Sequence, residues 1–264
     1  MPVIMQSGFN NPNRTHVLFN NRMTSDNTSV VNQMSSNPGI NILDPATYNF
    51  WQAPGGPGAQ INVNTANQRT YGGVGIAAHN MGTVGATVVI SQSSDGVSYS
   101  PIISYTAMSN EDVLFLFNTV STANLRINFS TSTAVGVVIA GPTLTFPSTP
   151  IDAYTPAQHS KRYTKYFNNS LQGQFLGNRV MGSGGNMSVQ FPHIQRDWVD
   201  GPLIGFEDHY NRGGTFFYAG WPGGKPQDMA YAWPGSEDSI IDVEYVNADK
   251  LATVGFDMQF YNPT

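Results

Sequence analysis

Between Ile40 and Phe146 the apolar residues come in short runs separated by polar breaks. Ile61-Asn-Val-Asn alternates apolar with polar, and Gly75-Ile-Ala-Ala-His and Gly85-Ala-Thr-Val-Val-Ile-Ser-Gln are runs of small or β-branched residues. Val113-Leu-Phe-Leu-Phe, Asn124-Leu-Arg-Ile-Asn-Phe-Ser, Val135-Gly-Val-Val-Ile-Ala and Leu144-Thr-Phe follow. Most are bounded by Gly, Asn, Asp or Ser, which is the pattern of strands rather than helices. Asp95-Gly96, set between Val88-Val-Ile-Ser and Val97-Ser-Tyr, predicts a hairpin, because Gly tolerates the positive φ of a tight turn. The pattern is that of an all-β chain with an antiparallel sandwich over residues 40–146. Residues 1–39 are polar and weakly patterned and read as an arm.

The rest of the chain is also strand-rich, with Met187-Ser-Val-Gln-Phe, Gly214-Thr-Phe-Phe-Tyr-Ala, Met229-Ala-Tyr-Ala-Trp, Ser239-Ile-Ile-Asp-Val-Glu-Tyr-Val and Val254-Gly-Phe-Asp-Met-Gln-Phe. The stretch His193-Ile-Gln-Arg-Asp-Trp-Val-Asp predicts a short helix that ends before Gly201-Pro202. Prolines punctuate Phe146-Pro-Ser-Thr-Pro-Ile-Asp-Ala-Tyr-Thr-Pro156, and proline restricts both itself and the residue before it. Residues 147–156 therefore read as an extended linker. Charge changes across it: residues 1–150 hold four Arg, no Lys and five acids, whereas residues 151–264 hold eight basic and twelve acidic residues. The expected organisation is an arm (1–39), a sandwich (40–146), the linker (147–156) and a second β-rich domain (157–264).

Composition narrows the function. Charged residues make up 11% of the chain and the net charge is −5, with no basic run, so nucleic acid is not an expected partner. Ordinary soluble domains carry about 25% charge. Cysteine is absent, which removes disulfides, thiolate metal sites and cysteine nucleophiles. The start of the chain lacks a basic stretch followed by an apolar one, and no run of about 18 apolar residues occurs, so neither export by a standard signal nor membrane insertion is expected.

Two resemblances carry the expectation of function. Tyr48-Asn-Phe-Trp51, Gly75-Ile-Ala-Ala-His-Asn80, Val88-Val-Ile-Ser-Gln-Ser-Ser-Asp-Gly96, Asn124-Leu-Arg-Ile-Asn-Phe and Val137-Val-Ile-Ala-Gly-Pro-Thr-Leu-Thr-Phe occur in the order of a discoidin-like, or galactose-binding-like, β-sandwich. The resemblance covers about 100 residues and implies a fold that serves lectins, enzyme appendages and virion parts alike. In the second half, a helical piece, a glycine turn, Phe216-Phe-Tyr, a Pro-Gly loop, a Trp-containing strand and a final Phe-x-Met-x-Phe strand resemble tail-tip proteins of long-tailed bacteriophages. Together they imply a structural virion component made in the host cytoplasm, forming a homo-oligomeric, hexameric ring at the distal end of the tail. Its partners would be the other tail proteins: tube, hub and fibres. Low charge suits such a role, because the cores of permanent interfaces are depleted in charge.

Catalysis is not expected and no cofactor is implied. Met181-Gly-Ser-Gly-Gly185 has neither the spacing nor the setting of a nucleophile elbow and reads as a flexible loop. Ala53-Pro-Gly-Gly-Pro-Gly58 lacks amide donors for a phosphate cradle, since two of its residues are prolines. His193 with Asp197, or Glu207-Asp208-His209, would need a third ligand that no spacing supplies, so no metal site is assigned. Asp44 before proline and Asp95 before glycine are turn residues rather than half of a glycosidase pair. The alternative function is recognition of a host-surface glycan. Tyr218, Trp221, Tyr231 and Trp233 beside the loop Gly220-Trp-Pro-Gly-Gly-Lys-Pro226 could offer ring faces to a pyranose, and His79 and Asn80 could hydrogen-bond its hydroxyls. The same six residues are equally candidates for subunit contacts, and the N-terminal arm and the Trp221 loop are the segments expected to lie across a neighbour.

Overall fold

Strands dominate the computed structural model, which describes residues 2–54, 58–150, 154–246 and 250–261. In chain order they are β1 (Val3–Met5), β2 (His16–Leu18), β3 (Thr28–Val31), β4 (Trp51–Gln52), β5 (Ala59–His79), β6 (Thr87–Ser93), β7 (Ser100–Thr106) and β8 (Val113–Phe129). There follow β9 (Ala134–Gly141), β10 (Thr143–Thr145), β11 (Lys161–Asn169), β12 (Phe175–Gln195), β13 (Phe216–Trp221), β14 (Lys225–Pro234), β15 (Asp242–Val246) and β16 (Leu251–Tyr261). The all-β class expected from the sequence is what the structure shows.

The first sheet runs β4-β9-β5-β8-β6-β7, with β3 beside β5 and β1 parallel to β8. β5 and β8 are 21 and 17 residues long, several times the usual strand, and their pairing breaks between Asn64 and Arg69 and again between Tyr71 and Gly73. Bulges bend strands, and here they fold one sheet over on itself. Ile61, Val63, Leu125 and Ile127 on one side of the bend share a core with Val74, Ile76, Phe115 and Phe117 on the other. Trp51 closes this sandwich against Phe129, with ring centroids 5.8 Å apart, and its indole N–H donates to the Asn32 carbonyl at 3.2 Å. The Asp95-Gly96 turn forms as expected: Gly96 has φ +74°, and the Asp95 carboxylate accepts the amides of Val97 and Ser98, each at 2.9 Å.

The unbroken apolar runs have a physical cause. Val113, Phe115 and Phe117 face the sandwich core, whereas Leu114 and Leu116 face a second core together with Ala77, Val137 and Ile139. A strand buried on both faces has no polar side to alternate with. The second sheet lies over that outer face in the order β10-β2-β13-β14-β16-β12-β11, with β15 also paired to β16. Phe217 of β13 reaches across to Gly75 of β5, where any Cβ would collide with its ring.

Several expectations are corrected. The first 39 residues are not a free arm: β1 pairs with β8, β3 with β5, and β2 fills a place between β10 and β13, where Val17 and Leu18 are fully buried. Tripeptides as short as Val3-Ile-Met and His16-Val-Leu are too brief to display a period. β10 pairs with β2 at one edge of the second sheet, so Thr143–Thr145 belong to it rather than to the sandwich. Beyond the single turn Met81–Val84 (α1), helix continues through Gly201-Pro202, from Arg196–Trp198 (α2) by a π-helical stretch, Val199–Leu203, into Ile204–Asn211 (α3). The wider turn accommodates a proline, which cannot donate the regular helical bond. His193 precedes the helix with φ +57°, so it shares no helix face with Asp197. Met181–Gly185 is not a loop but lies within β12.

Of the linker, Ile151, Asp152 and Ala153 lie outside the described residues; the rest carries no helix or strand. Its return is clamped. The Tyr154 hydroxyl and the Ala157 amide, the latter at 3.0 Å, both donate to the carboxylate of Asp228 on β14. Asp228 is fully buried, and burial raises its pKa against the opposing pull of these two donors.

Candidate functional site

The largest unpartnered feature is the hairpin of β11 and β12. Pairing of β12 with the body begins only at Gly184, opposite Tyr261, so, among the described residues, 163–182 have no strand beside them but each other. At about 3.3 Å per residue, the seven residues from Tyr163 to Asn169 project roughly 23 Å. The tip is a tight turn in which Ser170 N–H donates to the Gln174 carbonyl at 2.8 Å and Gly173 N–H to the Ser170 carbonyl at 2.9 Å. Three pairs of neighbouring apolar residues lie along it, Tyr166-Phe167, Phe175-Leu176 and Val180-Met181, each side chain 47–65% exposed. Neighbours in a strand point to opposite faces, so each pair places one apolar side chain on either side of the ribbon.

Charge is distributed as unevenly as hydrophobicity. Residues 161–185 hold Lys161, Arg162, Lys165 and Arg179 and no acid, while the other 239 residues hold eight basic and seventeen acidic groups. Lys161 pairs with Glu111 at 3.2 Å. Arg162, Lys165 and Arg179 make no ion pair among the described residues, although Lys165 lies 5.9 Å over the Tyr163 ring.

Beside the root of this arm, three adjoining hollows of about 350, 390 and 520 Å³ form a trough across the exposed face of the second sheet. It passes from His159 and Arg162 over Met187 and Ser188 to Ser236, Ser239 and Asp242. Asp238, Asp242 and Asp257 line its far end, all exposed and none in an ion pair among the described residues. A separate pocket of about 610 Å³ opens at the bulged end of the sandwich, lined by Asn67, Gln68, Gln92, Ser93, Ser98 and Thr122 among others, with no charged or aromatic side chain. The nearby ring of Tyr99 is covered by the Arg126 guanidinium, 3.5 Å from its centroid.

The residues singled out in the sequence do not gather at either place. Tyr218 and Tyr231 are fully buried in the core between the sheets; Tyr231 donates to the Pro45 carbonyl at 2.7 Å, and Phe217 lies 5.1 Å from its ring. Neither offers a ring face to a ligand, because successive residues of β13 and β14 are buried on both sides. Trp233 is half-buried and donates to the Gln259 side chain at 3.3 Å. Trp221 is 39% exposed, but its ring rests on Gly224 and its N–H donates to Asn13 at 3.1 Å, a contact within the chain. His79 is buried, with Nδ1 accepting the Met81 amide at 3.3 Å, and burial lowers its pKa to about 4. Asn80 holds the chain in place by accepting the Ala134 amide at 2.8 Å. Glu207, Asp208 and His209 lie in α3, where His209 bonds the Thr215 carbonyl at 2.8 Å, and no cluster of metal-ligating side chains occurs among the described residues.

No family model matches the chain, and no curated protein matches its sequence. Solved structures do. A pectin-binding carbohydrate-binding module is similar with a TM-score of 0.39 and 13% identity, over 47% of this chain and 93% of the module. The CBM32 of AlyQ, in complex with 4,5-unsaturated mannuronic acid, gives 0.38 and 20%, over 47% and 96%. A chitosan-binding module from a chitosanase/glucanase of Paenibacillus sp. IK-5 gives 0.38 and 12%, over 44% and 93%. These modules are β-sandwiches of the discoidin-like class, and each match covers less than half of this chain.

The arm is what sequence reasoning missed. Its signal was present: 25 residues with four basic groups and no acid, carrying apolar residues in adjacent pairs rather than at alternate positions.

Proposed function

We propose that this chain is a structural subunit whose work is done through assembly, and that its setting is the distal end of a bacteriophage tail, in a ring of identical subunits. The observation that carries the reading is the free-standing arm. A two-stranded hairpin is at best marginally stable alone, and a soluble monomer rarely exposes a large contiguous apolar surface. A ribbon apolar on both faces is therefore a contact element that a partner covers. The tail setting comes from the sequence resemblance of residues 157–264. It is tested by labelling purified tailed particles with antibody against this chain: label at the tail end is expected, and particles free of the chain would overturn the reading.

A second reading, recognition of carbohydrate by the sandwich, is favoured by the neutral pocket beside Gln68 and Gln92. Amides and hydroxyls without charge suit the hydroxyls of a neutral sugar. Glycan-array binding by the full chain that is lost in Gln68→Ala/Gln92→Ala would support it, and binding unchanged by that substitution would exclude the pocket.

A further inference from the structure

We infer that the arm docks on a second copy of this chain, in the trough on the exposed face of its second sheet. The inference rests on the assembly reading and names the partner. The arm carries Lys165 and Arg179 without ion pairs among the described residues, and the trough carries Asp238, Asp242 and Asp257 in the same condition. Charges of opposite sign placed on two different surfaces of one molecule steer copies into head-to-tail contact and repel head-to-head contact. The basic groups occupy both faces of the ribbon: Lys165 pairs across to Val180, whereas Arg179 pairs with Tyr166, one residue along β11. An arm lying in a trough can thus meet carboxylates from either face.

Apolar contact accompanies the charge. Ile240, 65% exposed, stands among the three carboxylates, and Met187 and Met258 line the adjoining hollow. Ile240 is the position against which Tyr166, Phe167 or Phe175 can be covered, since Met187 and Met258 are buried in the core and offer little surface. Beyond side chains, the outer edge of β11 has no strand beside it among the described residues, so backbone donors and acceptors are also free for a partner. Arm and trough are different patches, which makes the contact heterologous. Repeated from copy to copy, such a contact closes into a ring or runs on as a filament. The trough begins at the root of the chain's own arm, at Arg162, so each docked copy presents its arm onward in the same sense.

The test is a charge exchange in the full chain, read by sedimentation velocity. Wild-type protein should assemble, and less so as salt is raised, because screening weakens exposed charge pairs. Lys165→Glu/Arg179→Glu and, separately, Asp238→Lys/Asp242→Lys should each weaken self-association by more than about tenfold, since each sets like charge against like. Mixing the two variants should restore assembly, because the acidic arm of one meets the basic trough of the other and the remaining arm and trough are unchanged. Circular dichroism and melting curves matching wild type establish that each variant is folded; a pair that does not fold is replaced by Arg179→Glu and Asp242→Lys. Variants that assemble like wild type, or a mixture that stays monomeric, would overturn the arm-and-trough contact. A wild-type chain that remains monomeric, or that binds only vesicles of anionic lipid, would overturn it too. Label still found on tail ends in that case would leave the assembly reading standing with a different partner.

Discussion

Replacing Asp112 by Asn tests how dry the buried site just before β8 is. Asp112 is fully buried, and its Oδ1 accepts the Ala78 amide at 3.1 Å while Oδ2 has no partner among the described residues. Burial raises its pKa from 3.8 to about 7, against the lowering effect of the Ala78 amide. A group whose pKa is higher folded than unfolded supports the fold below its unfolded pKa and loses that support as pH rises through the folded one. Below about pH 4 the carboxyl is neutral in both states. From there to pH 7 the unfolded chain releases the proton and the folded chain keeps it, so stability falls, and above pH 7 the loss is complete. Three pH units at about 1.4 kcal/mol each give about 4 kcal/mol. That is a large part of the roughly 5–15 kcal/mol that holds a domain folded.

Asp112→Asn keeps the acceptor for Ala78 and removes the proton equilibrium. Urea unfolding followed by tryptophan fluorescence, at steps from pH 4 to pH 8, should give a stability gap between variant and wild type that widens by about 4 kcal/mol in favour of the variant. Other carboxylates titrate equally in both chains and cancel in the difference. A gap that stays constant across the range would mean that the carboxyl ionises as it does in water, and the reasoning from burial would fail.

Two further substitutions probe how the halves are joined. Gly75→Leu drives a side chain into the Phe217 ring, and overpacking at a layer contact should cost about 3 kcal/mol, seen as a lower melting temperature; an unchanged melt would show that the layers separate readily there. Tyr154→Phe removes one of the two donors to buried Asp228 and should cost about 1–3 kcal/mol at pH 7 in urea unfolding. Unaltered stability would mean that the carboxylate finds another donor.

Local signals carried much of the fold. The Asp95-Gly96 turn, the β-branched runs and the bounding glycines act over a few residues, and each lies where the pattern placed it. What lay beyond the pattern was long-range. Leu114 and Leu116 look like their neighbours Val113 and Phe115, yet they face a different core, and only the second sheet creates that difference. Tyr218 and Tyr231 illustrate the same limit from the other side, since an aromatic residue in a short strand suits a glycan platform or a core equally well until its neighbours are known. The Gly201-Pro202 stop was overridden because a π-helical stretch absorbs the proline. The arm leaves no periodic signature because an amphipathic pattern has one apolar face, and Tyr166-Phe167 and Val180-Met181 supply two.

β2 sits between β10 and β13, and this sets a timetable for folding. His16–Leu18 leaves the ribosome long before its partners: Thr143–Thr145 comes 125 residues later and Phe217–Ala219 comes 199 residues after Leu18. At about 5–20 residues per second, β2 waits roughly 10–40 s until both neighbours have been made. Throughout that interval an apolar segment with open hydrogen-bonding edges is exposed in a half-made chain. The sandwich can close while synthesis continues, but the second sheet cannot, so a nascent chain stalled before β13 holds β2 with one edge unpaired and is a natural client for chaperones.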